Sequence, residues 1–449
     1  MLVGPWIEER EFMNLTRPEA AHLLRRAAVG GTTRQIDSFV GMSREAAVTR
    51  LFDVSITPQL PGWSEFDCGD DDFDAQTKMI EWWVDRMITS PPTIEEKLAL
   101  FLHGHFATGR EKVEHARVMW DQHLLFRRPR RRKFRKLLGN VSLGSAMLIY
   151  IDNETNVVSS PQENFARELM ELHTVGNGNF TESDVVAMAR AWTGHNTVGR
   201  TRENGWVHDP TYVFKADEHD NGQKTLFGIA KNWDARDTLD ELCTGVKAQA
   251  TAEFFTRKMF SFYVHAEPSA QVITELANGF RASGLDYGDL LRSILLHDEF
   301  WAPSTRYALV KSPAEYMVDI MRRNEMLSAD EFLRWRMERM GMVLFDPPTV
   351  AGWGQNDFWL STATAWAKSE WVQNLRWGAD ERGILQNTDS LSTDEVVDRV
   401  MTFYSIFDAS NASLDQVRRL IERTREVAPW EMTHVPFAVG MFMPEVQCA

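Results

Sequence analysis

Apolar residues recur three and four positions apart along most of this chain, the pattern of amphipathic helices. The first three runs, 17–29, 33–41 and 43–53, are separated by Gly or Ser/Thr breaks and predict a small helical unit. His22, Arg25 and Arg26 in that unit are expected to flank its apolar faces. From Pro58 to Asp74 Pro, Gly and acids take over, which predicts a solvated loop; its aspartates lack the spacing and closing Glu of an EF-hand. A helix over 75–89 then stops at Pro91-Pro92, and the next opens at Thr93 with Glu96 placed for a capping box. It runs through EEKLALFLHGHF, and a further amphipathic helix covers 111–126.

The most polar helix is predicted over 161–174. Ser160 is placed to cap it, Glu163 to close a capping box, and Gly176 to end it in a left-handed turn. A second helix starts near Thr181, where Thr-Glu-Ser-Asp supplies a cap and first-turn acids. After Gly194 the helical rhythm breaks until about Arg236, with short apolar pairs among Gly, Asp and Asn that suggest a hairpin. Helices return over 250–264, 271–283 and 288–300. A Pro/Gly/Trp loop covers 341–360, and two polar amphipathic helices and an apolar tail close the chain. The predicted fold is mainly α, a multi-helix array with a small irregular or β-hairpin insertion around 195–230. Its expected organisation is a helical unit at 1–56, an acidic linker at 57–74, a central core at 75–300 and a C-terminal helical region at 301–449.

At 449 residues and 43% hydrophobic, the chain is long enough for a large core. A net charge of −15 argues against general nucleic-acid or anionic-membrane binding. The run Arg127–Lys136 is strongly basic, so it is expected to pair with acidic surface in the chain or on a partner protein. Three widely spaced cysteines give neither a disulfide framework nor a zinc-ribbon spacing. The N-terminus has no signal-peptide pattern and no apolar stretch is long enough to span a bilayer, so the expectation is a cytoplasmic protein; a trimmed exported form would read the same.

Candidate chemistry gathers in three stretches. On the 161–174 helix, Asn164, Arg167, Glu168 and Glu171 share one face, opposite Phe165, Leu169 and Leu172. Such a stripe ordinarily faces solvent. His103 and His105 stand two apart, about 200° around a helix, and share a ligand only where the helix has ended. His219, Asp220 and Lys224 fall in a loop, the usual place for a site on a rigid scaffold.

These stretches support three readings. In the first, His103, His105, His173 and His219, with the carboxylates, line one cavity and hold a divalent transition metal such as Zn, Fe or Mn. In the second, Glu168, Glu171, Asp220 and Lys224 do acid/base chemistry without metal, and Asn164, Arg167, Arg190, Trp353 and Trp359 bind a small-molecule or glycan substrate. In the third, Arg167, Glu168, Asp184 and Arg190 form a buried salt-bridge network, and Glu168→Ala costs on the order of 3 to 5 kcal/mol by stranding a cation. The expected function is thus a metal-dependent or acid/base enzyme, hydrolase or oxidoreductase; the alternative is a binding or scaffold protein. No phosphate-binding loop, dinucleotide fingerprint, nucleophile elbow or HExxH motif is present.

The residues Pro161-Gln-Glu-Asn-Phe-Ala-Arg-Glu-Leu-Met-Glu-Leu-His-Thr-Val-Gly176, then Phe180-Thr-Glu-Ser-Asp-Val185 and Ala189-Arg-Ala-Trp-Thr-Gly194, carry a resemblance. They resemble the core signature of a bacterial family named domain of unknown function 1800, roughly PNENYARELLELHTLG followed by YTE.DV and AR..TGW. The resemblance extends from AAHLLRRAAVGGT near Ala20 to PPTVAGW near Pro347. His103-Gly-His105 matches a pattern FWHNHF, with Leu102 for Trp and Gly104 for Asn, and His219 to Gly228 is close to HD.G.K..LG. Over 127–136 the family is typically less charged than this chain. The resemblance implies no agreed activity.

Overall fold

The computed structural model describes residues 14–69, 71–127, 133–199, 210–327, 332–376 and 388–449. Among them are 23 α-helices and two antiparallel two-stranded sheets, so the chain is mainly α with a small β insertion. Its buried apolar residues form one cluster running from Leu15 to Val446. No described helix is long and apolar enough to cross a membrane.

Local chemistry explains most helix starts. Thr16 with Glu19, Thr32 with Gln35, Thr181 with Asp184, Ser312 with Glu315 and Ser392 with Glu395 each close a capping box, satisfying two free amides at once. Gly176 ends its turn at φ +75°, as its position predicts.

Three boundaries differ from the pattern. The polar helix is Glu163–Glu171 and Ser160 does not cap it; the buried Asn156 accepts the Gln162 amide at 2.9 Å instead. The helix after Pro92 is Glu95–His105, and Glu96 does not reach back to Thr93 because its carboxylate is engaged in the interior. The run 111–126 is two helices, Arg110–Val113 and Ala116–Phe126, broken by left-handed Glu114 at φ 57°.

The insertion holds two ribbons. His195–Val198 pairs antiparallel with Thr211–Phe214, His195 facing Phe214; Lys224–Leu226 pairs with Ile229–Lys231. The middle of the first ribbon's connection, 200–209, lies outside the described residues.

The first unit corrects an expectation. His22, Arg25 and Arg26 do not flank an apolar face, since all three are buried, Arg26 to 1% exposure. The His22 imidazole bonds the Phe300 carbonyl at 2.8 Å, and Arg26 donates to the carbonyls of Val264 and Thr305.

Candidate functional site

The signature helix buries Phe165, Ala166, Leu169 and Met170 and turns its polar stripe outward. Asn164 donates to Asp152 at 2.9 Å, Arg167 pairs with Glu182 at 2.7 Å, and Glu171 accepts from Asn177. The Glu168 carboxylate has no hydrogen bond or ion pair among the described residues, and partial burial followed by the nearby Glu171 raises it above the usual range. The four-residue buried network does not form. Arg167 pairs with Glu182 at the surface, Arg190 pairs with Asp220 at 2.6 Å, and Asp184 caps its helix and accepts the Phe227 amide. Glu168→Ala therefore strands no cation and is expected to change stability by under about 1 kcal/mol, as read by urea unfolding; a loss of several kcal/mol would show a partner absent from this description.

The histidines go to separate places. The His105 ring contacts the His173 carbonyl at 3.2 Å through Nε2, and the His173 ring contacts the His105 carbonyl at 2.9 Å through Nδ1. Two neutral rings, each donating to the other's backbone, thus pin the end of Glu95–His105 to the end of the signature helix. His103 points elsewhere, among Trp83, Phe345 and Trp353 at ring distances of 5.5, 5.1 and 5.3 Å. His219 holds the Thr193 carbonyl at 2.9 Å and packs on Phe214. Among the described residues no three His, Cys, Asp or Glu side chains are grouped to hold one ion. The donor convergence within about 4 Å that a shared zinc-type site needs is not formed by these four rings and their carboxylates.

Burial, with Lys258 nearby, pushes His173 down to about 3. A base whose folded pKa is depressed stabilises the fold fully above its ordinary value, and that contribution fades as pH falls from about 6.5 toward the folded value. The expected result is a loss on the order of 1 to 2 kcal/mol from this residue between pH 7 and pH 5. Urea midpoints should then fall less steeply over that range in His173→Asn than in the wild type.

The loop carrying Asp220 is a strut. Besides Arg190, Asp220 accepts the Gly222 amide at 2.7 Å, while Lys224 donates to the Asp220 carbonyl, to Asn232 at 3.0 Å and to Trp233 at 3.1 Å. Of the basic run, 128–132 lie outside the described residues. Of the remainder, Arg127 pairs with Glu95 and Glu96, Lys133 with Asp286 and Arg135 with Asp240.

What the sequence reading missed is a second set of ions, inside the molecule. Glu96 accepts from Arg86 at 2.8 Å, from Arg127 at 2.7 and 2.8 Å and from the Trp83 indole at 2.9 Å. Next to it in sequence, Lys97 pairs with Glu315, and its ammonium lies 4.7 Å over the Phe262 ring. Asp319 holds Lys311 and Arg323, both at 2.8 Å. Glu96, Lys97 and Asp319 are each no more than 3% exposed.

Part of this set opens onto a cavity of about 310 Å³. Arg26, Lys97, Lys311 and Glu315 supply its charged wall, Phe101 and Phe262 an aromatic one, and Trp353, Asn356 and Trp359 of the Pro/Gly/Trp loop close another side. The two tryptophans singled out from sequence thus do line a cavity, with none of the other proposed catalytic, binding or metal residues. His103 serves it indirectly, packed behind Trp353. Gly104 also faces it, and Gly352, at φ +90°, sits so close that a Cβ there would lie 2.3 Å from the Gly104 carbonyl oxygen. The chemistry on offer is fixed positive charge, ring faces and little free acceptor, because both Glu315 oxygens are taken by Lys97 and by Ser312.

The fold and this cavity define a mainly α-helical protein with ion pairs buried in its interior, some of them in the wall of a small chamber. The chain belongs to the family described as Protein of unknown function (DUF1800), whose model matches residues 22–447. No curated protein and no solved structure matches it.

Proposed function

We propose that the protein binds a small organic molecule in the chamber between Arg26, Lys97, Lys311 and the Trp353–Trp359 loop. The observation that carries this reading is the convergence there of six separate stretches of chain, with aromatic faces and buried charge on one concave surface. Trp353 and Phe262 offer faces for a flat or ring-bearing ligand. With both Glu315 oxygens engaged, the Lys97–Glu315 pair serves as wall, which favours binding over acid/base turnover at this place.

Native mass spectrometry of protein isolated under gentle conditions tests it, together with thermal shifts against a panel of small metabolites. The expected result is a retained small molecule, or a compound that raises the melting temperature, with the effect lost in Ser261→Trp, which fills the chamber from a partly exposed wall position. The reading fails if no compound binds, or if those that bind do so equally to Ser261→Trp.

A further inference from the structure

Resting on that reading, we infer that the ligand of the chamber is an anion, a small organic molecule bearing a carboxylate or phosphate that sits against Arg26. The first ground is charge. Of the cations in the chamber wall, Lys97 has Glu315 and Lys311 has Asp319, which it shares with Arg323. Arg26 is 1% exposed and has no ion pair among the described residues; its guanidinium meets only the carbonyls of Val264 and Thr305. The set Arg26, Lys97, Lys311 and Arg323 therefore faces two carboxylates, Glu315 and Asp319, and Arg25 and Lys368 add positive charge close by. Asp357 is the other acidic side chain on the wall, exposed at the rim. A buried guanidinium without a countercharge is costly, and an incoming anion is what relieves it.

The second ground is independent of charge. Two side-chain donors belonging to wall residues, Arg26 Nε and the Trp353 indole N–H, are buried with no acceptor among the described residues, whereas no buried side-chain acceptor of the wall is left in that state. Buried donors are ordinarily satisfied, so the wall lacks oxygen atoms rather than hydrogens. Carboxylates and phosphates supply acceptors and negative charge together, and guanidinium is the side chain best suited to both. Arg322 also lacks a direct carboxylate, but it donates to Gly30 and Met87 and does not line the chamber.

The test is isothermal titration and thermal shift on the full chain with acetate, succinate, benzoate, inorganic phosphate and phenyl phosphate, beside the neutral benzamide and benzyl alcohol. The expected result is that at least one anion binds, that its neutral counterpart does not, and that Arg26→Met weakens binding by about tenfold or more. Carboxylates binding above phosphates, or the reverse, assigns the head group. Should Arg26→Met not fold, Ser261→Glu against Ser261→Gln replaces it: the two side chains take the same room, so a fixed negative charge in the chamber should weaken anion binding at least about tenfold more than the neutral isostere does. The inference is overturned if no anion binds, or if benzamide binds as well as benzoate. Those outcomes leave the chamber reading standing when a neutral ligand still loses its shift in Ser261→Trp; when Ser261→Trp changes nothing, both fall.

Discussion

Glu96→Ala should cost about 3 to 5 kcal/mol of folding stability, measured by urea unfolding at pH 7. The carboxylate is 3% exposed and compensates two guanidiniums, Arg86 and Arg127, that are themselves 5% and 3% exposed. Removing it leaves two buried guanidiniums to share the single Glu95 carboxylate, at 3.2 and 3.4 Å, beside Trp82 and Trp83, where cation–π contacts of 5.2 to 5.6 Å are a weak substitute. Its acid dependence follows from the same contacts. Burial pushes the Glu96 carboxyl up, but Arg127 and Arg86 outweigh it and hold the group below the ordinary range. That stability is present above the unfolded carboxyl's pKa and is lost as pH falls through the lowered folded value. The changes Glu96→Met, Arg86→Met and Arg127→Met, made together with Glu95→Gln so that no carboxylate is stranded, should recover much of the loss, because a neutral cluster needs no ion pairing. A loss below about 1 kcal/mol in Glu96→Ala would show that water reaches the cluster.

The second large effect is expected at Asp319. Its two oxygens meet Lys311 and Arg323, and Asp319 is 2% exposed, so Asp319→Ala strands two cations and should also cost about 3 to 5 kcal/mol. Burial alone would raise its carboxyl, yet Arg323 and Lys311 hold it far below the usual range. The contribution is therefore complete at neutral pH and falls away only in strong acid. A neighbour sharpens the test. Gly30, at φ +82°, lies where a Cβ would be 2.6 Å from Asp319 Oδ1, so Gly30→Ala should destabilise through backbone strain and through displacement of this carboxylate. Combined with Asp319→Ala it should be less costly than the two separate losses added, since the collision is gone.

The helical pattern, the two-helix signature and the turn at Gly176 were legible because they rest on local spacing. The signature's polar stripe was legible too, but as the solvent-facing surface that such a stripe ordinarily is. The buried ions were not legible, for a reason visible in Glu95–His105. Glu96 and Lys97 are neighbours about 100° apart on the helix, so they enter different interiors, one toward Arg86 and Arg127 and the other toward Glu315. Spacing rules read two adjacent charges as one wet edge. A signal was available: LALFLHGHF leaves that helix almost no polar side, and a helix apolar all round is buried, which obliges its few charges to find partners inside. Lys311 and Glu315 were hidden similarly, because Ser312-Pro-Ala-Glu315 reads as a helix cap, which it also is. The histidines misled for the opposite reason. His105 and His173 do meet, but through backbone carbonyls, a use of imidazole that a sequence cannot distinguish from ligation.

Gly352 at the chamber's edge sets a limit on how this family member can change. Where Gly352 rests on the Gly104 carbonyl, main chain touches main chain, so the gap between the tryptophan loop and the helix is a property of the backbone trace. Wall residues can then be exchanged, polar for apolar or large for small, and the gauge of the chamber stays put. Selection is free to retune which molecule fits without having to refold what holds it, as long as Gly352 remains bare.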